Sequence, residues 1–400
     1  MPGSVSPALC FPETDFAILP GQGAPLPRFH AMLEELREKR PVAPILFHGR
    51  PAWLLTRHVD VTEAFRDETL FSAKAVQEAN TFPVMGRNIM GMEGEEHRIN
   101  RALVSPHFKL RLMPEVVEEM VRPLCHDLVD GFIADGEVDL VRRFNKQLPL
   151  SAICRIIGIP PEDDDRLAGW AMALISYPWD PKGALDASRQ FTNYLGELVE
   201  ARRGEPRDDL LTALCREEVE GQRLSDEEIF SFVRVLFPAG ADTTYLGLGS
   251  LMTALLEEPG RVEAIRGNPE AQAAAVEEAL RWEAPTALLP RMVVEGGVFG
   301  GEKLGPNTVV LLGITAANRD PAVFPDPHRF DRTRKTVGHL SFGLGNHFCL
   351  GSHLARAELR VALSVLLERL GEIELQEVPI MEGAVLRGPD RLQIRFSSAR

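Results

Sequence analysis

The chain has 400 residues, 44% of them hydrophobic, and a formal net charge of −14. That length and apolar share can bury a large core, while the acidic balance argues against nucleic acid or an anionic membrane as the main partner. No run of about 18 uninterrupted apolar residues exists to span a bilayer.

Met1–Leu19 carries Pro, Ser, Glu and Asp where a signal peptide needs a basic and then an apolar stretch, so the expected location is the cytoplasm. Five widely spaced cysteines (Cys10, Cys125, Cys154, Cys215, Cys349) with no CxxC pair make disulfides and a zinc site improbable. Cys125, Cys154 and Cys215 sit in apolar, helix-like runs and read as small buried hydrophobes.

In chain order, Leu33 and Leu36 with neighbouring charges predict a helix. Val42–Phe47 and Ala52–Thr56 predict strands around a turn His48–Gly49–Arg50–Pro51, followed by a helix Val59–Asp67. Phe71–Met92, rich in Gly, Asn, Met and Pro, reads as a long loop with short helical pieces at most. From His97 to about Trp282 the periodicity is helical, broken at Pro106, Pro114, Gly158–Pro161, Tyr177–Pro181, Arg203–Pro206 and Pro259–Gly260. Strand-like Arg291–Val294 and Thr308–Leu312 follow, then an aperiodic stretch to His339, a last long helix and a strand-rich tail to Phe396. The expectation is one mainly α domain with a smaller β region (α+β) over residues 1–400, with about 1–35 as an N-terminal extension running into the first helix.

Chemistry concentrates at Cys349. The stretch Phe342-Gly343-Leu344-Gly345-Asn346-His347-Phe348-Cys349-Leu350-Gly351 precedes a helix whose apolar positions are Leu350, Leu354, Ala357, Val361 and Val365. A cysteine near a helix N-terminus meets unpaired N–H groups and the positive dipole end, which favour a thiolate. Gly343 and Gly345 let the backbone turn tightly against a flat ligand. This F-x-x-G-x-H-x-C-x-G pattern resembles, position for position, the haem-binding signature of the cytochrome P450 family.

Three further segments match that family in order. Glu278-Ala279-Leu280-Arg281 resembles E-x-x-R, with Arg329 of Pro327-His328-Arg329-Phe330 standing where a joining arginine is expected; the three are read as a structural network. Phe237-Pro238-Ala239-Gly240-Ala241-Asp242-Thr243-Thr244 interrupts a long helix capped by Ser225 and resembles A/G-G-x-D/E-T-T. A plain reading of Thr243 has its hydroxyl bonded back to the Ala239 carbonyl. By the resemblance, Ala239 and Gly240 line an oxygen groove, and Asp242 with Thr243 organises proton delivery. His97, Arg101, Arg291, His339 and His347 match the family's contacts to haem propionates, which need cationic or donor partners when buried.

The resemblance implies haem b between a long kinked distal helix and the proximal cysteine-bearing helix, with Cys349 as axial ligand and Phe342, Gly345 and Gly351 around it. It places the substrate beside Val84, Met85, Ile89, Met90, Leu236, Leu288, Leu289 and Val385, a hydrophobic set suited to a terpenoid, steroid, fatty acid or aromatic. The implied activity is insertion of one oxygen atom from O2, by hydroxylation or epoxidation. Neither a Rossmann fingerprint nor a ferredoxin cysteine cluster is present, so electrons are expected from NAD(P)H through a ferredoxin reductase and a ferredoxin. Such a partner is expected to dock on Arg98, Lys109, Arg111, Arg356 and Arg360. Rival readings are a peroxide-driven member of the family and a non-catalytic haem-thiolate sensor.

Overall fold

A computed structural model describes residues 15–20, 26, 28–160 and 164–398; Cys10 and Pro161 lie outside them. The chain clusters into two compact units. One comprises Met1–Ala73, Gly249–Cys349 and Leu375–Gln393, the other Lys74–Leu248, Leu350–Glu374 and Ile394–Arg400.

The first unit is built on a mixed four-stranded sheet, in the order Val42–Phe47, Arg50–Leu55, Thr308–Gly313, Leu288–Val293. The predicted four-residue turn is tighter than expected. His48 and Gly49 alone form it, both at positive φ (52° and 66°), which is the two-residue geometry that matches strand twist, so pairing begins at Phe47↔Arg50. Alternation buries both faces: Val42, Leu55, Val310 and Leu312 join Phe65 and Phe71 on one side, while Ala43, Leu54, Leu288 and Leu311 join Phe29 and Leu33 on the other. The first helix runs Phe29–Lys39 and the next His58–Arg66.

The second unit is helical. Its core joins Ile153, Leu174, Phe191, Phe232 and Phe237 from the helices Gln147–Ile157, Asp164–Ile175, Pro181–Gly204 and Asp226–Leu256. The Phe71–Met92 region holds more helix than predicted, with Ala73–Asn80 and Phe82–Met85 helical. The last of these core helices is continuous through the predicted interruption. Pro238 removes only its own N–H from the ladder, and reciprocal Ser225–Glu228 bonds (2.8 Å and 3.4 Å) start the helix as a capping box. The helix Ser352–Arg369 also belongs here.

Within the first unit, Glu278 and Arg281 lie on the helix Pro269–Trp282, whose N-terminus is capped by Asn268. Both side chains are 0% exposed. Arg281 binds the carboxylate twice, at 2.8 Å and 2.7 Å, and donates to the Asn318 and Pro327 carbonyls. The third arginine of the network is Arg334 and not Arg329. Arg334 Nε reaches Glu278 Oε1 at 3.2 Å, whereas Arg329 is exposed and offers Arg281 only its backbone carbonyl at 3.4 Å. The turn after Pro327 directs carbonyls inward and the Arg329 side chain to solvent.

Sequence reasoning also missed a second buried carboxylate. Glu283 faces His30 at 2.7 Å, Arg387 at 3.2 Å and Arg319 at 3.7 Å. Burial opposes its ionisation, but these partners outweigh burial and hold it below the usual carboxylate range.

Removing one member of a fully buried pair leaves the other charge uncompensated, a loss of about 3–5 kcal/mol. Arg281→Ala is therefore expected to destabilise the protein by about that much in urea unfolding, with Arg334→Ala clearly destabilising too. Arg329→Ala should stay within about 0.5 kcal/mol of the parent, as exposed side chains do. Equal losses for Arg329→Ala and Arg334→Ala would reverse the assignment.

Candidate functional site

In the first unit the cysteine loop is closed by its own backbone: the Cys349 amide donates to the Phe342 carbonyl at 2.9 Å. Gly343 (φ 67°) and Gly345 (φ 72°) hold left-handed conformations that favour glycine. A Cβ at Gly343 would come within 3.4 Å of the Phe65 ring, and one at Gly345 within 3.4 Å of the Phe65 carbonyl. The closed loop leaves the Cys349 thiol exposed. Phe342 is half-buried between the rings of His339 (6.0 Å) and Phe348 (6.5 Å), and Gly351 precedes the helix Ser352–Arg369.

Phe65 ties this loop to Arg291, whose guanidinium lies 5.9 Å from the same ring. Arg291 sits opposite Val310 in the sheet and is 6% exposed. Among the described residues it forms no ion pair and one hydrogen bond, to the Pro290 carbonyl. Burial pulls its pKa down to about 10, with Glu68 opposing. A cation buried with so little compensation fits an anionic group of a bound molecule.

His339 has partners within the protein. Its Nε2 pairs with Glu277 at 3.3 Å and its Nδ1 accepts from the Ser341 amide at 3.3 Å, so both ring nitrogens are spent inside the protein. His347 is half-buried in the short turn Gly345–His347. Leu288 is core, Leu289 and Val385 pack partly buried against core, and the Ala287 amide binds the Val385 carbonyl at 2.9 Å.

In the second unit, every residue of the long helix from Ser231 to Leu248 is buried except Ala239, Gly240 and Thr243. Those three share one stretch of helix surface, and Thr243 Oγ1 donates to the Ala239 carbonyl at 3.2 Å. Gly240 is required by packing, since a Cβ there would stand 2.9 Å from Ile153 Cγ1. Asp242 is buried, its Oδ2 without a hydrogen-bond partner among the described residues. Burial raises its carboxyl to about 7, opposed by Lys146. A carboxyl poised near neutrality beside a hydroxyl can hold or release a proton.

His97 and Arg101 stand one turn apart on the helix Gly94–Val104, where burial and then the Arg101 charge lower the imidazole's pKa. Val84, Met85, Ile89 and Leu236 are buried in this unit's core and Met90 packs against it. Within the first unit, the exposed thiol, the glycine loop and the buried cation fit the haem that the sequence implies.

A family model described as Cytochrome P450 matches residues 272–396. The chain is 37% identical to the 6-deoxyerythronolide B hydroxylase of Saccharopolyspora erythraea, over 90% of this chain and 94% of that protein. It is 35% identical to the vitamin D(3) 25-hydroxylase of Pseudonocardia autotrophica, over 91% and 93%. Among solved structures, cytochrome P450 CYP109Q5 from Chondromyces apiculatus superposes with a TM-score of 0.85 at 31% identity, covering 92% of this chain and 95% of that one.

The raised Asp242 pKa predicts a stability signature. Its native value of about 7 exceeds the ordinary 3.8, so between those limits the folded state binds more protons than the unfolded state. Stability should then fall as pH rises through that window. Comparing urea unfolding of wild type and Asp242→Asn, the wild type is expected to lose up to about 1.4 kcal/mol more per pH unit there. Glu358, also buried and raised, titrates in both proteins and cancels. Parallel pH profiles would show that Asp242 is not protonated near neutrality.

Proposed function

The chain belongs to the cytochrome P450 family of haem-dependent monooxygenases, and on that premise we propose that the Cys349 thiolate is the axial ligand of its haem iron. The observation that carries the assignment is the closed cysteine loop. One backbone bond and two left-handed glycines hold a loop that packs against Phe65 and leaves the thiol exposed, and the same Phe65 ring faces the under-compensated Arg291. When bound, haem supplies the activation of dioxygen and the transfer of one oxygen atom to substrate, taking electrons from a partner.

The protein's own groups would hold the haem and serve that chemistry. Arg291, Arg101, His97 and His347 would hold the propionates, Arg291 foremost because burial has left it a charge to satisfy. Asp242 would carry a proton in from solvent and Thr243 would pass it on, its hydroxyl turning away from the Ala239 carbonyl. The exposed Ala239 and the small Gly240 leave room beside them. This pair favours oxygen-driven turnover over a peroxide-driven enzyme or a sensor.

The apolar set Val84, Met85, Ile89, Met90, Leu236, Leu288, Leu289 and Val385 supports a bulky hydrophobic substrate, of the terpenoid, steroid, fatty-acid or aromatic kind. Relatives named for vitamin D(3) and for 6-deoxyerythronolide B point the same way. Electrons would arrive from NAD(P)H through a reductase and a ferredoxin in the cytoplasm; no helix among the described residues is long and apolar enough to cross a membrane. Lys109 and Arg111, both exposed, would offer the ferredoxin its cationic contacts, while Arg98 is occupied by Glu95 and Glu220.

The reduced protein under carbon monoxide is expected to show the strongly red-shifted Soret band of thiolate ligation, lost in Cys349→Ala. Thr243→Ala should keep that band while most electrons consumed no longer appear in product, read as the ratio of product to NAD(P)H oxidised. A histidine-type Soret band in fresh wild-type protein would overturn the ligand assignment. An unchanged product ratio in Thr243→Ala would remove Thr243 from the proton path.

A further inference from the structure

The segment Thr81–Met92 is bonded to itself. Asn88 Nδ2 donates to the Gly86 carbonyl at 2.9 Å and the Met90 amide to Asn88 Oδ1 at 3.1 Å, while Thr81 Oγ1 ties the start of the segment to the preceding helix through Gln77 Oε1 at 2.6 Å. The Phe82 ring lies so close over Gly91 that a Cβ there would stand 2.7 Å from it. A loop closed in this way moves as one piece, and its attachment to the helices decides where it sits.

That attachment is polar and buried. Ser188 Oγ, on the helix Pro181–Gly204, donates to the Val84 carbonyl at 2.5 Å. Ser231 Oγ, on the long helix Asp226–Leu256, stands 2.8 Å from the Met85 carbonyl and 2.7 Å from the Arg87 carbonyl and shares its one proton between them. Arg234 completes the set: its Nη1 donates to Ser188 Oγ at 3.4 Å and its Nη2 to the exposed Glu227 carboxylate. Ser188, Ser231 and Arg234 are each buried, and Glu227, Ser231 and Arg234 at i, i+4 and i+7 form one helix face. Arg234 donating to a serine that donates in turn to a carbonyl is a polarised chain, stronger than its separate bonds.

Gly86 gives an independent sign that the loop is fitted to this face. At φ 75° its missing side chain would lie 2.9 Å from Ser231 Oγ, 3.0 Å from Glu227 Oε1 and 3.3 Å from Arg234 Nη2. Only glycine lets the loop backbone settle onto the three polar groups.

We propose that Ser188, Ser231 and Arg234 form a clasp whose grip on the Phe82–Met90 loop sets how long a hydrophobic ligand stays bound. The inference rests on the reading that Val84, Met85, Ile89 and Met90 line the substrate pocket, and it makes the three side chains positioning residues. They act through the loop and touch neither substrate nor haem. Ser231 lies 12 residues before Thr243, roughly 18 Å along the helix axis at about 1.5 Å per residue, so variants there spare the proton-handling pair.

The test uses haem-loaded Ser188→Ala, Ser231→Ala and the double variant, with the carbon monoxide Soret band as the check that each is folded and thiolate-ligated. Amide hydrogen exchange over residues 82–92 reads the clasp directly. The release rate of clotrimazole, an azole that coordinates haem iron and fills the distal space, reads ligand retention by stopped flow. Each single variant is expected to speed exchange of that segment and azole release about tenfold, the effect of losing one well-made buried hydrogen bond, with no change in exchange over the helix Ser352–Arg369. Should the serine variants fail to load haem, Glu227→Gln weakens the clasp from its solvent side and is expected to give a smaller acceleration of both readouts.

Unchanged exchange at 82–92 in folded variants would overturn the clasp. Faster exchange with unchanged azole release would overturn its control of retention. Val84→Ala and Met85→Ala then separate the two levels of the argument: altered azole affinity in either keeps the pocket reading and discards only the clasp's role, whereas unaltered affinity in both discards the pocket reading as well.

Discussion

A charge withdrawn from water has to be matched, and much of this protein's organisation follows from where that matching is complete and where it is not. Glu278 and Arg281 meet the requirement in full: two parallel bonds join them, Arg334 adds a second cation, and the remaining Arg281 donors find the Asn318, Pro327 and Arg329 carbonyls. Because the Pro327 and Arg329 carbonyls belong to an aperiodic stretch, the pair fixes the path of the chain approaching His339 and the cysteine loop. Glu283 does the same for the N-terminal helix and the tail through His30 and Arg387. Such networks give modest net stability, since desolvation offsets most of the attraction, but they tolerate one arrangement only.

The incomplete matches are elsewhere. Arg291 is buried like the network arginines yet, among the described residues, has a single hydrogen bond and no ion-paired carboxylate, and Asp242 keeps one oxygen without a hydrogen-bond partner there. A fold stabilised only by its own contacts would have little reason to retain either. Both become reasonable once a ligand supplies the missing charge at Arg291 and the chemistry needs a proton held at Asp242. The same burial that would be a defect in a structural carboxylate places the Asp242 pKa where a proton can be exchanged near neutrality.

This division explains what was legible in the sequence. The cysteine loop, E-x-x-R and the Asp242–Thr243 pair were readable because each is a local pattern whose geometry is set within about ten residues by glycine conformation or helical spacing. Arg334 was not, because the choice between it and Arg329 depends on which way a turn faces its carbonyls. The capping box at Ser225 was half legible, the serine being identified and Glu228 passed over. The interruption predicted at Pro238 overstated what one missing N–H does to a helix packed nearly all along its length. His339 was matched to a haem contact by the family resemblance, and no local pattern could reveal that Glu277, 62 residues earlier, stands at its ring.

The clasp was invisible for the same reason carried further. Ser188, Ser231 and Arg234 lie in two helices of ordinary amphipathic pattern, and their acceptors are backbone carbonyls, which carry no residue identity. Only Gly86 left a trace in the sequence, as one glycine in a stretch already read as loop. By these two proposals the long helix would serve two functions on separate faces. With about 100° of turn per residue, Glu227, Ser231 and Arg234 lie roughly 160° around the axis from Ala239, Gly240 and Thr243. One face holds the loop by hydrogen bonds, and the other carries the less buried Ala239, Gly240 and Thr243. Separating them lets loop attachment vary with substrate while the proton-handling residues stay as they are.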